Sequence, residues 1–293
     1  MTPSFRRVTS GAAKVLGATF LLTATVYALH PFSLGWDSHP YWLTGHGVYY
    51  TNGPMTTDAY LYSPAFAQII RPMTALPWPV FASLWSLLLA AGLAWLLAPL
   101  RYWAIPLWLA GLPEIVAGNV FIPLALAMVL GTRRPWLWAL AALTKVTIFL
   151  GPIWFAARRE WRSLWLCLSV TVGVACLSAL WEPHLWTQWW SLLYTNAHRS
   201  GETLGASVLP PLVYRLPAAL ALVLWGARTH RTWALPIGMV LASPVMWLGT
   251  LTLLAATPRL LAQASPTTAL PSGRAIRVEA LAPDTDGGRV ARS

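Results

Sequence analysis

Apolar residues in this chain form long, nearly uninterrupted runs, and polar residues gather in short stretches between them. Runs of this kind cover residues 80–98, 163–181 and 209–227. A helix needs about 20 residues to cross the hydrocarbon layer of a membrane, so each run is long enough to span it. A further run at 15–29 follows a basic N-terminal stretch and has no small-residue cleavage pattern after it. It is predicted to be an uncleaved first membrane helix.

Other apolar stretches are shorter and are interrupted by polar residues. They cover residues 102–113, 119–130 and 136–157. Arginines flank these stretches and mark the cytoplasmic side, so the chain is predicted to turn outside the cytoplasm near Glu114 and near Lys145. A last hairpin is predicted to turn near Ser243 and Pro244. Residues 13–261 allow about eight to ten crossings, and the predicted fold is an all-α, polytopic transmembrane helix bundle with short or broken segments.

Composition excludes a soluble globular protein. The 293-residue chain is 57% hydrophobic and 10% charged, with a mean hydropathy of +0.56, whereas soluble domains carry about 25% charged residues. Its net charge of +11 does not indicate nucleic-acid binding, because the cations stand at the ends of apolar runs and act as topology signals. The 19 tryptophans suit membrane interfaces.

The polar stretches divide the chain into one membrane domain, residues 1–261, and a disordered cytoplasmic tail, residues 262–293. The charge pattern puts both termini in the cytoplasm and the aromatic segment 31–77 outside it. Within that segment a helix over residues 64–76 is predicted to lie in the membrane interface. Residues 182–205 are predicted to form a second outer loop.

Asp37 is the first candidate for chemistry, because it stands among aromatic residues just beyond the first predicted membrane helix. A carboxylate in such a place can act as a general base on a hydroxyl group. It could equally be the N-cap of an interfacial helix. Asp37 and His39 also have a spacing that a shared metal would accept, although no third ligand is in view.

Two cations interrupt apolar runs, Lys145 within residues 136–150 and Arg215 within residues 209–224. A charge inside a membrane domain is costly and marks a functional site by default. An ammonium or a guanidinium can neutralise a phosphate, and a guanidinium can bind one through two hydrogen bonds. For Lys145 the alternatives are snorkelling to the outer interface or pairing with Glu114.

A series of motifs along the chain resembles glycosyltransferase family 87. In chain order they are Trp36-Asp37, Tyr41-Trp42, Tyr60-x-Tyr62-x-Pro64-x-Phe66-Ala67, Leu76-Pro77, Trp85, Gly118-Asn119, Lys145 and Ser243-Pro244-x-x-Trp247. The resemblance covers residues 35–261. It implies a GT-C type membrane glycosyltransferase similar to mannosyltransferases, which takes its sugar from a polyprenyl-phosphate donor on the extracytoplasmic side of a membrane, here the bacterial plasma membrane.

The resemblance also implies roles for single residues. Asp37 is the expected catalytic base, and the expected substrate-binding residues are Tyr41, Tyr60, Tyr62, Asn119, Lys145 and Arg215, of which Lys145 and Arg215 face the donor phosphate. The expected partners are the donor and a lipid or glycan acceptor, with no cofactor and no metal.

Two other functions are compatible with the sequence. Lys145 and Arg215 could line the pathway of a transporter or flippase for a lipid-linked or anionic solute, although no internal repeat is evident. Asn119 stands where the family commonly has glutamine, and Val146 stands where it commonly has proline. These differences from the family are compatible with an inactive accessory subunit.

Overall fold

The computed structural model describes residues 34–54, 56–145, 149–199, 210–244 and 248–264, and these residues form helices joined by turns. The first predicted membrane helix, residues 15–29, and the predicted tail beyond residue 264 lie outside the described residues. The orientation expected for the two termini therefore stays a prediction.

The α-helices, numbered in chain order, are α1 His39–Thr44, α2 Pro64–Thr74, α3 Trp78–Leu97, α4 Ala104–Ala110, α5 Leu112–Ala117, α6 Phe121–Gly131, α7 Trp138–Thr144, α8 Gly151–Ala157, α9 Trp161–Trp181, α10 Pro183–Arg199, α11 Leu212–Arg228, α12 Ala234–Ala242 and α13 Thr257–Ala264. Short 3-10 segments cover Ala98–Trp103, Pro135–Leu137 and Leu248–Ala256.

Two helical stretches of the described chain are long and apolar enough to cross a membrane, Trp78–Ala110 and Trp161–Trp181. They contain the predicted runs 80–98 and 163–181. Only Cys167 and Ser178 of α9 are buried, so most of its apolar side chains face outward and need an apolar environment. The structure confirms the predicted all-helical membrane bundle.

The interrupted apolar stretches form short helices, as predicted. Residues 136–157 divide into α7 and α8, and α7 ends one residue before Lys145. Lys145 itself has an extended backbone, with φ −132° and ψ 91°. The helix therefore ends at this residue, in the place where the sequence predicted a turn.

The predicted outer loop 182–205 instead contains a 17-residue helix, α10. Pro183 is its first residue. Proline is favoured at this position because the N–H groups of the first turn make no hydrogen bond within the helix, so the N–H that proline lacks is not needed. Leu185 and Trp189 are buried, and the Nε1–H of Trp186 donates to Ser178 Oγ at 3.0 Å. The loop prediction was wrong about the local structure, because Leu185 and Trp189 pack inward on one side of this helix while polar residues such as Gln188 and Ser191 are exposed.

The core of the bundle lies between α3 and α6. The buried side chains of α3 include Phe81, Trp85, Leu89, Leu93 and Leu96, and most residues of α6 are buried. One end of this core is closed by α1, α2 and the junction between α5 and α6. That end carries the side chains described next.

Candidate active site

The turn that carries Asp37 is fixed by backbone hydrogen bonds to the end of α5. The Gly35 N–H donates to Val116 O at 2.7 Å, and the Asp37 N–H donates to Ala117 O at 2.8 Å. The turn and the end of α5 therefore form one unit, although about 80 residues of chain separate them. Asp37 itself is half-buried.

Gly118 makes this close approach possible. It ends α5 with a left-handed backbone, φ 81°, which glycine adopts without a steric penalty. A side-chain carbon at this position would lie 2.5 Å from Ser38 Oγ. The Gly118 carbonyl also accepts a hydrogen bond from Trp85 Nε1 at 2.8 Å, so the residue cannot easily shift away.

We expect Gly118→Ala to destabilise the protein by about 2 kcal/mol or more, because backbone strain of about 1 kcal/mol is joined by a steric clash with Ser38. Gly47→Ala is the matched control, since Gly47 has the same φ of 81° and no atom within 4 Å of the added carbon. Thermal unfolding in detergent measures both. Equal melting temperatures for the two variants would contradict the steric argument.

Asn119 orients the Asp37 carboxylate. Its Nδ2 donates to Asp37 Oδ2 at 2.8 Å, and its Oδ1 accepts from the Val120 N–H at 2.7 Å. Because the second bond occupies the amide oxygen, the amide N–H is directed at the carboxylate. Asn119 thus contacts the candidate base itself.

The protonation of Asp37 depends on opposing effects. Asp37 lies in a turn outside the membrane-crossing helices, where burial raises the pKa of its carboxyl above the ordinary value. The hydrogen bond from Asn119 and the positive charge of Lys145 act in the opposite direction, because both favour the ionised form.

Lys145 lies near this carboxylate because α7 ends just before it. Its Nζ is 3.6 Å from the centroid of the Phe121 ring, at the start of α6. Such a cation–π contact stabilises a positive charge that is partly removed from water. Electrostatic interaction links Lys145 to Asp37 and to Glu114, so three ionisable groups from separate segments share one region.

Glu114 is a further member of this region, which the sequence indicated only as a turning point of the chain and as a partner for Lys145. Its side chain is buried, and its Oε1 has no hydrogen-bond partner among the described residues. Gly249, in the last 3-10 segment, lies so close that an added side-chain carbon would meet the Glu114 carboxyl. A single acid between the apolar residues of 112–116 was the available signal, since isolated charges in apolar surroundings mark functional sites.

The expected sugar-site tyrosines form one aromatic cluster beside the Asp37 turn. Tyr41 and Tyr60 are buried and Tyr62 is half-buried. The Tyr41 hydroxyl donates to the Tyr62 hydroxyl at 3.2 Å, and the Tyr60 hydroxyl donates to Ser63 O at 2.9 Å. Of the three, Tyr62 has the ring best exposed to a ligand.

Arg215 is held elsewhere. Its guanidinium is buried and donates to backbone carbonyls of Pro210, Leu241, Ser243 and Pro244 at 2.7 to 3.3 Å. These bonds join the start of α11 to the end of α12. Among the described residues the hydrogen-bond partners of the Arg215 guanidinium are these carbonyls, and neither Asp37 nor Lys145 is one of them.

The alternatives for Asp37 can be compared with the geometry. The residue at the N-cap position of α1 is Ser38 rather than Asp37. The Nδ1 of His39 pairs with Asp58 Oδ1 at 2.6 Å, and the described residues contain no group of three or more side chains that could hold a metal ion. Among the described residues, Asp37 is therefore neither the N-cap of α1 nor part of a metal-binding group, and its side-chain hydrogen bond comes from Asn119.

The sequence of this chain matches the model of one known protein family. The family description "Glycosyltransferase family 87" matches residues 60–273, which include most of the described helices. Comparison with curated proteins and with solved structures found no match. The match covers well over half of the 293 residues, and the chain therefore belongs to glycosyltransferase family 87.

Proposed function

We propose that this glycosyltransferase moves a hexose, mannose in the first instance, from a polyprenyl-phosphate donor to an acceptor hydroxyl, with Asp37 as the general base. The observation that carries the proposal is the hydrogen bond that aims Asn119 at the Asp37 carboxylate, within electrostatic range of Lys145. A base and a cation near each other are what direct sugar transfer from a phosphate donor requires.

The proposed step is a direct displacement at the anomeric carbon of the donor sugar. As the acceptor oxygen forms its bond to that carbon, Asp37 takes the hydroxyl proton. The bond between the anomeric carbon and the phosphate oxygen breaks, and its electron pair leaves with the polyprenyl phosphate. The products are a glycosylated acceptor, a polyprenyl phosphate and a protonated Asp37, which then loses its proton to solvent.

Lys145 is proposed to stabilise the leaving phosphate. Negative charge grows on the phosphate oxygen as the bond breaks, and a positioned ammonium favours that change. The Phe121 ring fixes the ammonium from one side, so the charge is in place before reaction. Lys145 is half-buried, and its ammonium is proposed to contact a phosphate oxygen of the donor.

The other expected substrate-binding residues divide by their contacts. Tyr62 is proposed to touch the donor sugar, whereas Tyr41 and Tyr60 hold its ring in place from the buried side. Asn119 is proposed to act through Asp37. Arg215 already donates to backbone carbonyls with both of its terminal nitrogens and Nε, so its part in phosphate binding is proposed as indirect, by fixing the segment around Ser243.

Transfer is proposed to take place on the extracytoplasmic side of the membrane, because the charge pattern of the sequence puts the Asp37 turn there. A thiol-labelling experiment tests this with a cysteine introduced at exposed Gly47. Labelling of intact cells by a membrane-impermeant reagent is the expected result. Labelling only after the membrane is opened would put the site on the cytoplasmic side.

The activity itself is tested with purified protein in proteoliposomes and a radiolabelled polyprenyl-phosphate mannose. A glycosylated product that depends on the protein is expected. Transbilayer movement of the lipid without product would support the transporter alternative instead. If product forms only after a second protein is added, the chain acts as an accessory subunit.

The pH dependence of transfer gives a prediction for Asn119. The ionised carboxylate is the active base, so kcat/KM falls as pH drops through the pKa of Asp37. Asn119→Ala removes a bond that favours the ionised form, worth about 1.5–3 kcal/mol for a charged group. We expect the acidic limb of the pH profile to move up by about one to two pH units.

Gln68→Ala is the control for that measurement. Gln68 also donates an amide N–H to a carboxylate, Glu182 Oε2, at 2.9 Å, but that pair is separate from Asp37. Its pH profile should match the wild-type profile. An Asn119→Ala profile with an unmoved acidic limb would mean that Asp37 is not the group that titrates.

A further inference from the structure

An open groove lies between the outer segment 49–53 and helix α10. It has a volume of about 530 Å³, within the range of small-molecule sites. Its lining includes Tyr49, Tyr50, Asn52, Gln188, Ser191 and Thr195. We refer to it as the tyrosine–amide groove.

The chemistry of the tyrosine–amide groove is polar and uncharged. None of the described residues that line it is an acid, a lysine, an arginine or a histidine. Amide and hydroxyl groups can both donate and accept hydrogen bonds, and aromatic rings offer flat apolar faces. That combination suits the hydroxyls and the C–H faces of a neutral sugar, whereas a phosphate or an acidic sugar would find no countercharge.

Tyr50 stands out within the lining because its backbone is left-handed, with φ 49°. Bulky residues seldom adopt this conformation, and strained residues of this kind cluster at functional sites. The conformation is maintained by a hydrogen bond from the Tyr50 hydroxyl to Tyr62 O at 2.9 Å, and by packing of its ring on Tyr60 at 5.6 Å. The groove wall is therefore held in one shape.

The groove is joined to the Asp37 turn by continuous ring contacts. Tyr49 and Tyr50 both pack on Tyr60, which packs on Tyr62 at 5.8 Å. Tyr62 in turn contacts Tyr41. Burial is the main cause of the raised pKa of the Tyr41 hydroxyl, and the nearby Tyr62 and the negative charge of Asp37 add to it. A ligand in the groove would thus lie at one end of a tyrosine cluster and the candidate base at the other.

We infer that the tyrosine–amide groove binds neutral sugar units of the acceptor, so that the acceptor is a glycan rather than a lipid alone. This inference rests on the proposed function. The donor sugar is bonded to its phosphate and has to lie between Asp37 and Lys145. The groove is lined by α10 and the segment 49–53, and neither contributes to the proposed phosphate site. We therefore assign the groove to the acceptor rather than to the donor.

The test compares groove variants with a control on the same helix. Gln188 and Ser191 are both exposed, so Gln188→Ala/Ser191→Ala and the blocking variant Ser191→Trp should fold normally. Thr187→Ala is the control, because Thr187 is also exposed on α10 but does not line the groove. Binding of three neutral trisaccharides, built from mannose, glucose and arabinose, is measured on protein in nanodiscs, with trigalacturonic acid as the acidic comparator.

We expect at least one neutral trisaccharide to bind, with an affinity lowered about tenfold by the double variant and lost in Ser191→Trp. Thr187→Ala should bind like wild type, and trigalacturonic acid should bind more weakly than the neutral sugars. The inference is overturned if no neutral trisaccharide binds, or if the double variant and Ser191→Trp bind as wild type does.

A second readout separates this inference from the proposed function. Slow cleavage of the polyprenyl-phosphate sugar by water, measured without acceptor, should be unchanged in the groove variants because the donor side is intact. If groove variants bind sugars normally while Asp37→Asn abolishes transfer, the groove assignment fails and the function stands. If the groove variants lose sugar binding while Asp37→Asn transfers sugar normally, the groove assignment stands and the proposed role of Asp37 fails.

Discussion

Asp37→Asn is expected to lower the rate of sugar transfer by about 10²- to 10⁴-fold, the range of a lost general base. The substitution keeps the size of the side chain, and the new amide oxygen can still accept from Asn119. The backbone bond from residue 37 to Ala117 O is unchanged. Transfer from polyprenyl-phosphate mannose in proteoliposomes measures the loss, and unchanged thermal unfolding shows that the fold is intact.

Asp58→Asn is the matched control for this variant. Asp58 is also a half-buried carboxylate at the same end of the protein, but its partner is His39. Its backbone is left-handed, with φ 58°, a conformation that asparagine also tolerates. We expect its transfer rate to stay within about twofold of wild type. Full transfer by Asp37→Asn would remove Asp37 from the mechanism.

Lys145→Met is expected to reduce kcat/KM for the lipid donor by about 10²- to 10³-fold, as for loss of a group that stabilises developing charge. Methionine is similar in length, carries no charge and packs well against an aromatic ring, so its contact with Phe121 should be kept. The protein should therefore fold while the leaving phosphate loses its countercharge. Initial rates at varied donor concentration measure the effect.

The control for the lysine is Arg71→Gln. Arg71 is an exposed cation in α2 that forms a salt bridge with Glu182 at 3.4 Å, and exposed pairs of this kind contribute about 0–1 kcal/mol. Its donor kinetics should match those of the wild type. A Lys145→Met enzyme that works within about threefold of the wild-type rate would contradict the proposed role of the ammonium.

Much of the fold could be predicted because membrane helices are specified by a simple local property, a long apolar run. The runs 80–98 and 163–181 therefore correspond closely to α3 and α9, and Lys145 marked a real break. Helix α10 could not be found in the same way. Tryptophans and polar residues are interspersed along it, and only its contacts with Ser178 and Leu61 reveal which face is buried.

The candidate site was predictable only in part. Asp37 and Lys145 were found because a charge in apolar or aromatic surroundings is rare. That argument needs only the local sequence around each residue. Whether a guanidinium meets a ligand or a backbone carbonyl depends on distant chain segments, so the carbonyl contacts of Arg215 could not be foreseen. Gly118 entered only as part of a family motif, and the close packing at Gly118 and Gly249 could not be foreseen for the same reason, since it depends on which distant residues approach them.

The close packing of Gly249 against Glu114 also bears on when this enzyme can become active during synthesis. The Asp37 turn leaves the ribosome early, its partner Asn119 follows 82 residues later, and Gly249 comes near the end of the described chain. Until that last segment has entered the bilayer and docked, the neighbourhood of Asp37 lacks one wall. If Glu114 belongs to the active site, a nascent chain would therefore complete that site only after this last segment has docked.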